Sequence, residues 1–254
     1  MKVVLDVVFD WAHLILRWFH VMAAISWIGS SLFLLYLGRQ GARRSEPQVV
    51  REAGLLQATA PWFKRESLLA WVSGVLLLFP LYFGLDGAGV LDAIPSLALF
   101  ALAWLVYDRL WRANAAAAGT ASAVLLVAAV WGLSLWHDGR QLYIELGSLL
   151  GTLMAGNIWF RIAPALAREG DAAAWAAAVQ RSAHNNYLIF PVVALMLANH
   201  VPGIYGSRYG AAIIVVLIAA FAIARHVVHG KLRRAWALYG MLALLLAMMV
   251  MTAA

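Results

Sequence analysis

The chain has no cysteine, and only 12% of its 254 residues are charged, with 12 Asp and Glu against 19 Lys and Arg. The first absence excludes disulfide frameworks, thiolate metal sites, a cysteine nucleophile and covalent c-type haem. Any cofactor must therefore be held by His, Met, Asp or Glu, or without coordination. The shortage of charge excludes an ordinary soluble domain, in which about 25% of residues are charged and about half are apolar. Here 64% are hydrophobic and the mean hydropathy is +0.81, the composition of an integral membrane protein. The sequence also lacks a Gly-rich phosphate loop, His-Glu-x-x-His, a nucleophile elbow and carboxylates paired at glycosidase spacing. No soluble-enzyme motif remains to be read.

Crossing a hydrocarbon core of about 30 Å takes about 20 helical residues. Apolar runs of that length lie near 9–36, 66–84, 92–112, 116–136, 142–163, 184–202, 208–228 and 232–252. The sequence thus predicts an all-α, polytopic helix bundle: one membrane domain over 1–254 with about eight transmembrane helices. The first run is too long for a signal peptide, and Asp6 and Asp10 interrupt its basic end, so it reads as a mature helix. The longest polar stretch is 37–61, and 164–182 reads as a loop with a short surface helix.

Fifteen of the 19 basic residues fall on one side of this arrangement. They are Arg39, Arg43, Arg44, Arg51, Lys64 and Arg65 between spans 1 and 2, Arg109 and Arg112 between 3 and 4, Arg161, Arg168 and Arg181 between 5 and 6, and Arg225, Lys231, Arg233 and Arg234 between 7 and 8. The other side has Lys2, Arg140 and Arg208. By the positive-inside rule the odd-numbered loops are cytoplasmic and both termini lie outside. The expected location is the bacterial inner (cytoplasmic) membrane, with periplasmic termini and lipid as the immediate partner. The net charge of +7 is then a topology signal. No basic run is interleaved with the aromatics that a nucleic-acid platform needs, so no nucleic-acid partner is expected.

A strongly polar side chain at the bilayer centre costs about 2.5–3.5 kcal/mol on insertion scales, so each one needs a partner or a purpose. Asp10, His13, Arg17 and His20 in the first span recur every three or four residues and share one helical stripe with Trp27. His20 lies about 10 Å deeper than His13 along the axis. A histidine at that depth suits axial ligation of haem iron, and Arg17 beside it suits a propionate or an anionic substrate. The plainer alternative places Asp10 and His13 at the outer interface, with His20 hydrogen-bonded to another helix. The sixth span opens with Arg181-Ser182-Ala183-His184-Asn185-Asn186-Tyr187 and closes with Asn199-His200. Helix capping explains one such residue and not five in a row. His13 or His20 with His200 is an allowed axial pair, whereas His184 and His200, about 24 Å apart on a straight helix, cannot share one iron even with Pro191 between them.

Weaker signals complete the inventory. His226 and His229 read as interfacial, and His137 as a loop residue. Glu66, in Trp62-Phe63-Lys64-Arg65-Glu66, calls for a cationic partner, and Asp108 for Arg109 or Arg112. Gly147 and Gly151 form a small-residue packing face, Asn157 reads as a buried amide linking helices, and Met196 is the methionine nearest the polar cluster.

Several of these strings occur together in order: Arg17-Trp18-Phe19-His20, Ser26-Trp27-Ile28-Gly29-Ser30, Trp62-Phe63-Lys64 with Glu66, Tyr107-Asp108, Gly156-Asn157 with Pro164, and Arg181 to Tyr187 with Pro191-Val192, Met196 and Asn199-His200. In this the chain resembles the membrane domain of the bacterial membrane-bound, cytochrome c-linked urate oxidase (urate hydroxylase) family. The resemblance implies a respiratory-chain oxidation of urate that passes electrons to a cytochrome c and makes no hydrogen peroxide. Family members commonly carry that cytochrome as a C-terminal extension. Here the chain reaches Ala254 straight after its last helix and has no Cys, so the expected acceptor is a separate cytochrome c, or a quinone. The family's His-Gly-Gly-Gly-Phe-Tyr stretch has no match, Arg51 to Thr59 standing in its place, and Arg65 replaces a Trp.

Three functions follow. The first is an oxidoreductase acting on urate or a related small anion. In it Arg17 or Arg181 pairs with the anion, His184, Asn185 and Asn186 hydrogen-bond it, and a haem b on His20, His200 or His13 carries the electrons. The second is a non-catalytic, haem-containing anchor that links a soluble dehydrogenase to quinone or cytochrome c; the two departures from the family favour it. The third is a haem-free structural membrane protein whose polar residues fasten helices together.

Overall fold

The computed structural model describes residues 2–41, 46–82, 93–137, 139–168, 171–228 and 234–253. Arg43, Arg44, Asp138, His229, Lys231 and Arg233 lie outside them, as do the ends of the expected spans at 83–84, 92 and 232–233. The described residues are all-helical: α1 (Lys2–Gly41), α2 (Glu46–Tyr82), α3 (Ala93–Ala113), α4 (Ala115–Ser134), α5 (Gly139–Asn157), a π-helical turn (Ile158–Ile162), α6 (Ala163–Leu166), α7 (Ala172–Ala198), α8 (Pro202–Tyr205), α9 (Gly210–Val228) and α10 (Arg234–Ala253). Among the described residues, six stretches are long and apolar enough to cross a membrane: Val3–Phe33, Ile94–Ala113, Ala117–Ser134, Gly139–Leu166, Gly210–Val227 and Trp236–Ala253. Large apolar side chains such as Trp11 and Trp18 on α1 and Trp236 and Leu238 on α10 stand exposed, as a lipid-facing surface requires. The other two expected spans, 66–84 and 184–202, fall in α2 and α7, the helices richest in polar side chains of the site described below.

Helices extend further than the apolar runs alone predict. With 40 and 37 residues, α1 and α2 are about 60 and 55 Å long, well beyond the hydrocarbon core. Most of the polar stretch 37–61 is therefore helix, in keeping with its Glu, Gln, Arg, Leu and Ala, which are strong helix formers. α7 likewise begins at Ala172, twelve residues before the expected span at His184. The carboxylate of Asp171 accepts from the Ala174 N–H at 2.9 Å, an N-cap, and the alanines that follow continue the helix without a breaker. The string from Arg181 to Tyr187 thus sits mid-helix, and capping explains none of it. Pro191 stays inside α7 and removes the N–H that would bond the Tyr187 carbonyl.

Two compact units divide the chain. One comprises Met1–Leu97 and Met154–Asn186, the other Ala98–Leu153 and Tyr187–Ala254. In the first, α1 packs along α2, and α2 also meets the π-helical turn and α6. In the second, α9 packs against α10, α4 and α8. The α3–α4 connection is a single residue, Asn114, whose side chain caps α4 by accepting from the Ala117 N–H at 3.2 Å. Trp111 Nε1 donates to Ser122 Oγ at 3.1 Å. On a straight helix eleven residues would part these two by about 16 Å, so the chain turns back at Asn114. At the start of α5, Gly139 has φ +25°, and a Cβ there would stand 2.8 Å from the Tyr205 carbonyl oxygen, so only glycine fits.

Candidate functional site

The polar residues of the first unit gather at two places. Along the α1–α2 seam, His20 Nδ1 lies 3.0 Å from Ser73 Oγ, and the Ser26 hydroxyl donates to Glu66 Oε1. Ser73 and Glu66 are seven residues apart, two turns along one face of α2, and they meet His20 and Ser26 in reverse order, as antiparallel helices require. Gly74 allows the imidazole to lie against α2, since a Cβ there would be 3.0 Å from His20 Cε1. Trp27, beside Ser26, is buried in the same seam.

The second place joins α5 to α7 and to α2. Asn157, fully buried, donates through Nδ2 to Asn185 Oδ1 at 2.9 Å, and Asn185 Nδ2 donates to the Met154 carbonyl at 3.0 Å. Directly after Asn157 the helix widens into the π-helical turn, a feature frequent at functional sites. Within that turn Trp159 donates from Nε1 to the Lys64 carbonyl at 3.1 Å, and the Lys64 ammonium stands 4.3 Å above the Trp159 ring. An open pocket of about 360 Å³ lies alongside, with Gln57, Pro61 and Lys64 on one wall and Ala163, Leu166 and Ala167 on the other. Arg181 and Asn186 are buried on α7, His184 is half-buried, and Asn186 Nδ2 donates to the Ser182 carbonyl at 3.0 Å.

The expected stripe on α1 separates into two kinds of position. His20 and Trp27 face α2, while Asp10 and Arg17 are exposed and His13 is half-buried, stacked on Phe9 at 6.0 Å. His200 belongs to the second unit and is exposed in the turn after α7. Among the described residues no group of three or more His, Asp or Glu could hold a metal ion, so non-haem metal ligation has no cluster here.

Three side-chain expectations change. Glu66 meets the Ser26 hydroxyl where a cation was expected. Gly147 packs as expected, since a Cβ there would be 2.7 Å from Met196 Cε, but Gly151 has open space beside it and is no packing contact. Arg225 does not sit at a plain boundary: it is buried in the second unit, 5.0 Å over the Phe190 ring, next to His226, which is edge-on to Tyr187 at 5.3 Å. Asp108 is paired as expected, with Arg112 at 3.9 Å. Sequence reasoning passed over Glu145, fully buried in α5 two residues after Tyr143, whose hydroxyl donates to the Gly210 carbonyl at 3.4 Å. The signal was there, because any carboxylate inside an apolar span asks for a purpose.

Fold and site together define a class: a polytopic helical membrane protein whose interior carries a seam with a histidine, a carboxyl and an indole, and a second, amide-linked polar cluster. The chain belongs to the urate oxidase N-terminal family, whose model matches residues 6–57 and 53–254. No curated protein and no solved structure matches it.

Proposed function

We propose that the chain is the membrane-embedded part of a urate-oxidising system, which takes electrons from urate or a closely related small anion and passes them to a cytochrome c or a quinone. The family match across nearly the whole chain carries this reading. The reaction is a two-electron oxidation in which water adds its oxygen to the purine ring, two protons leave to solvent and two electrons go to the acceptor. Arg181, buried on α7, pairs with the substrate anion, and His184 hydrogen-bonds it. Asn185 and Asn157 hold α7 and α5 in register around them.

His20 is the residue that would hold a b-type haem. Its Nδ1 is taken by Ser73 Oγ, which fixes the ring and leaves Nε2 as the ligand atom, and Gly74 leaves the imidazole room. A haem bound there supplies the one-electron steps between a two-electron substrate and its acceptor. His13 is the alternative to His20 as the ligand on α1, and Arg17 is the proposed partner of a propionate. The proposed topology has eight spans in the bacterial inner membrane with both termini outside, supported by the fifteen basic residues on one side.

One observation favours a second reading, a non-catalytic anchor for a soluble dehydrogenase. Both ends of the Asn185 amide and the Asn186 Nδ2 are bonded within the protein, which withdraws two of the side chains expected to touch substrate. Urate-dependent reduction of added cytochrome c or quinone by membranes carrying the chain separates the two. The first reading expects turnover that Arg181→Gln and His184→Ala abolish; a haem-loaded protein inert toward urate leaves the anchor.

A further inference from the structure

The pocket beside the π-helical turn takes no part in the proposed oxidation, yet it brings a charge, an amide and apolar walls together. Gln57, Ala60, Pro61 and Lys64 recur at helical spacing on one face of α2, and Ala163, Leu166 and Ala167 do the same at α6, with about 360 Å³ between them. That volume is ample for a small ligand. The α6 wall ends the apolar stretch Gly139–Leu166, and Trp62 stands exposed just before Lys64, so the pocket opens at a membrane boundary.

Lys64 is held at both ends. Its carbonyl accepts from Trp159 Nε1 at 3.1 Å, while its ammonium stands 4.3 Å above the same indole ring. A lysine is ordinarily a mobile chain, and this double hold removes freedom that binding would otherwise have to freeze. The aromatic face orients the ammonium without neutralising it, and among the described residues no carboxylate pairs with it. None of them lines the pocket either. The site therefore presents one positive charge, the Gln57 amide and five apolar residues, which together suit a ligand with one negative charge, acceptor oxygens and an apolar body.

We propose that this pocket holds the phosphodiester headgroup of an anionic phospholipid. Its oxygens accept from the Lys64 ammonium and the Gln57 amide, and its glycerol and first methylenes lie on Pro61, Leu166 and the alanines. A zwitterionic lipid fits less well, because its own ammonium finds no carboxylate there. A free phosphate ion gains nothing from the five apolar residues. The site goes beyond the redox reading and does not depend on it.

The test is native mass spectrometry of the full, detergent-solubilised chain titrated with phosphatidylglycerol or phosphatidylethanolamine of matched acyl chains, in about 0.3 M ammonium acetate, which screens exposed charges. Phosphatidylglycerol is expected to bind about tenfold more tightly, a difference that Lys64→Gln removes. Ala167→Trp, which fills the pocket and leaves both polar residues in place, is expected to lower its affinity by a similar factor. Arg65→Gln removes an exposed charge beside Lys64 and is expected to change the affinity by less than about twofold. Equal affinity of the unaltered chain for the two lipids would overturn the proposal, and that comparison needs no variant to fold. Equal losses from Lys64→Gln and Arg65→Gln would also overturn it, by reducing the effect to general surface charge, as would full affinity in Ala167→Trp. Inorganic phosphate in excess is expected to leave the lipid bound; displacement would assign the pocket to a soluble anion and overturn the lipid.

Discussion

Asn185 uses both ends of its amide inside the protein, accepting from Asn157 and donating to the Met154 carbonyl. Deleting one partner leaves the other buried and unsatisfied, so Asn157→Ala is expected to lower stability by about 1–3 kcal/mol, read as a shift in the denaturation midpoint of the detergent-solubilised protein. A midpoint within error of the unaltered chain would show that the pair does not hold α5 to α7. His20 answers to a different readout. His20→Ala is expected to remove the haem spectrum or convert it to high spin, and the same spectrum from that variant and from His200→Ala would reject both as ligands. Sequence spacing placed His20 on the right stripe, but a stripe drawn at 100° per residue does not tell which of its members faces a neighbour. Arg17 and Asp10 share it and stay exposed, because α2 covers only the side that bears Trp27 and His20.

At the scale of elements, the apolar runs located the helices well and their ends poorly, for a physical reason. Hydropathy stops where the membrane stops, whereas a helix continues as long as its residues favour it and nothing breaks it. α1, α2 and α7 all run past the hydrophobic window into polar sequence, and for α7 the stop signal lies at Asp171. Asp171→Ala is expected to fray the first turn at a local cost of about 0.5–2 kcal/mol. Faster amide hydrogen exchange at Ala173–Trp175, with no change near Asn185, is the pattern to look for. The π-helical turn had no sequence signature. Its effect is visible only in the fold, where Trp159 is tied to the Lys64 carbonyl while Lys64 covers its ring.

For the whole molecule, the class of protein was legible from composition: little charge, no cysteine and long apolar runs. Where the few charges fall gives the proposed sidedness. What composition cannot give is the pairing of helices, since Glu66 and Ser26, or Asn157 and Asn185, meet only after folding. The lack of cysteine makes the topology open to direct test, because a single introduced thiol is the sole label site. Arg208→Cys is expected to react with a membrane-impermeant maleimide from the periplasmic side of spheroplasts, and Arg168→Cys only in inside-out vesicles. Labelling of both from one side would reverse or break the proposed topology.

The most direct measurement of the central claim is the optical difference spectrum of the purified, oxidised protein on addition of urate, compared with that on addition of dithionite. The account predicts a b-type α band with both reductants, the urate-induced band being lost in Arg181→Gln while the dithionite band persists. A protein with no α band under dithionite, or one whose haem is reduced by dithionite and never by urate, would contradict it.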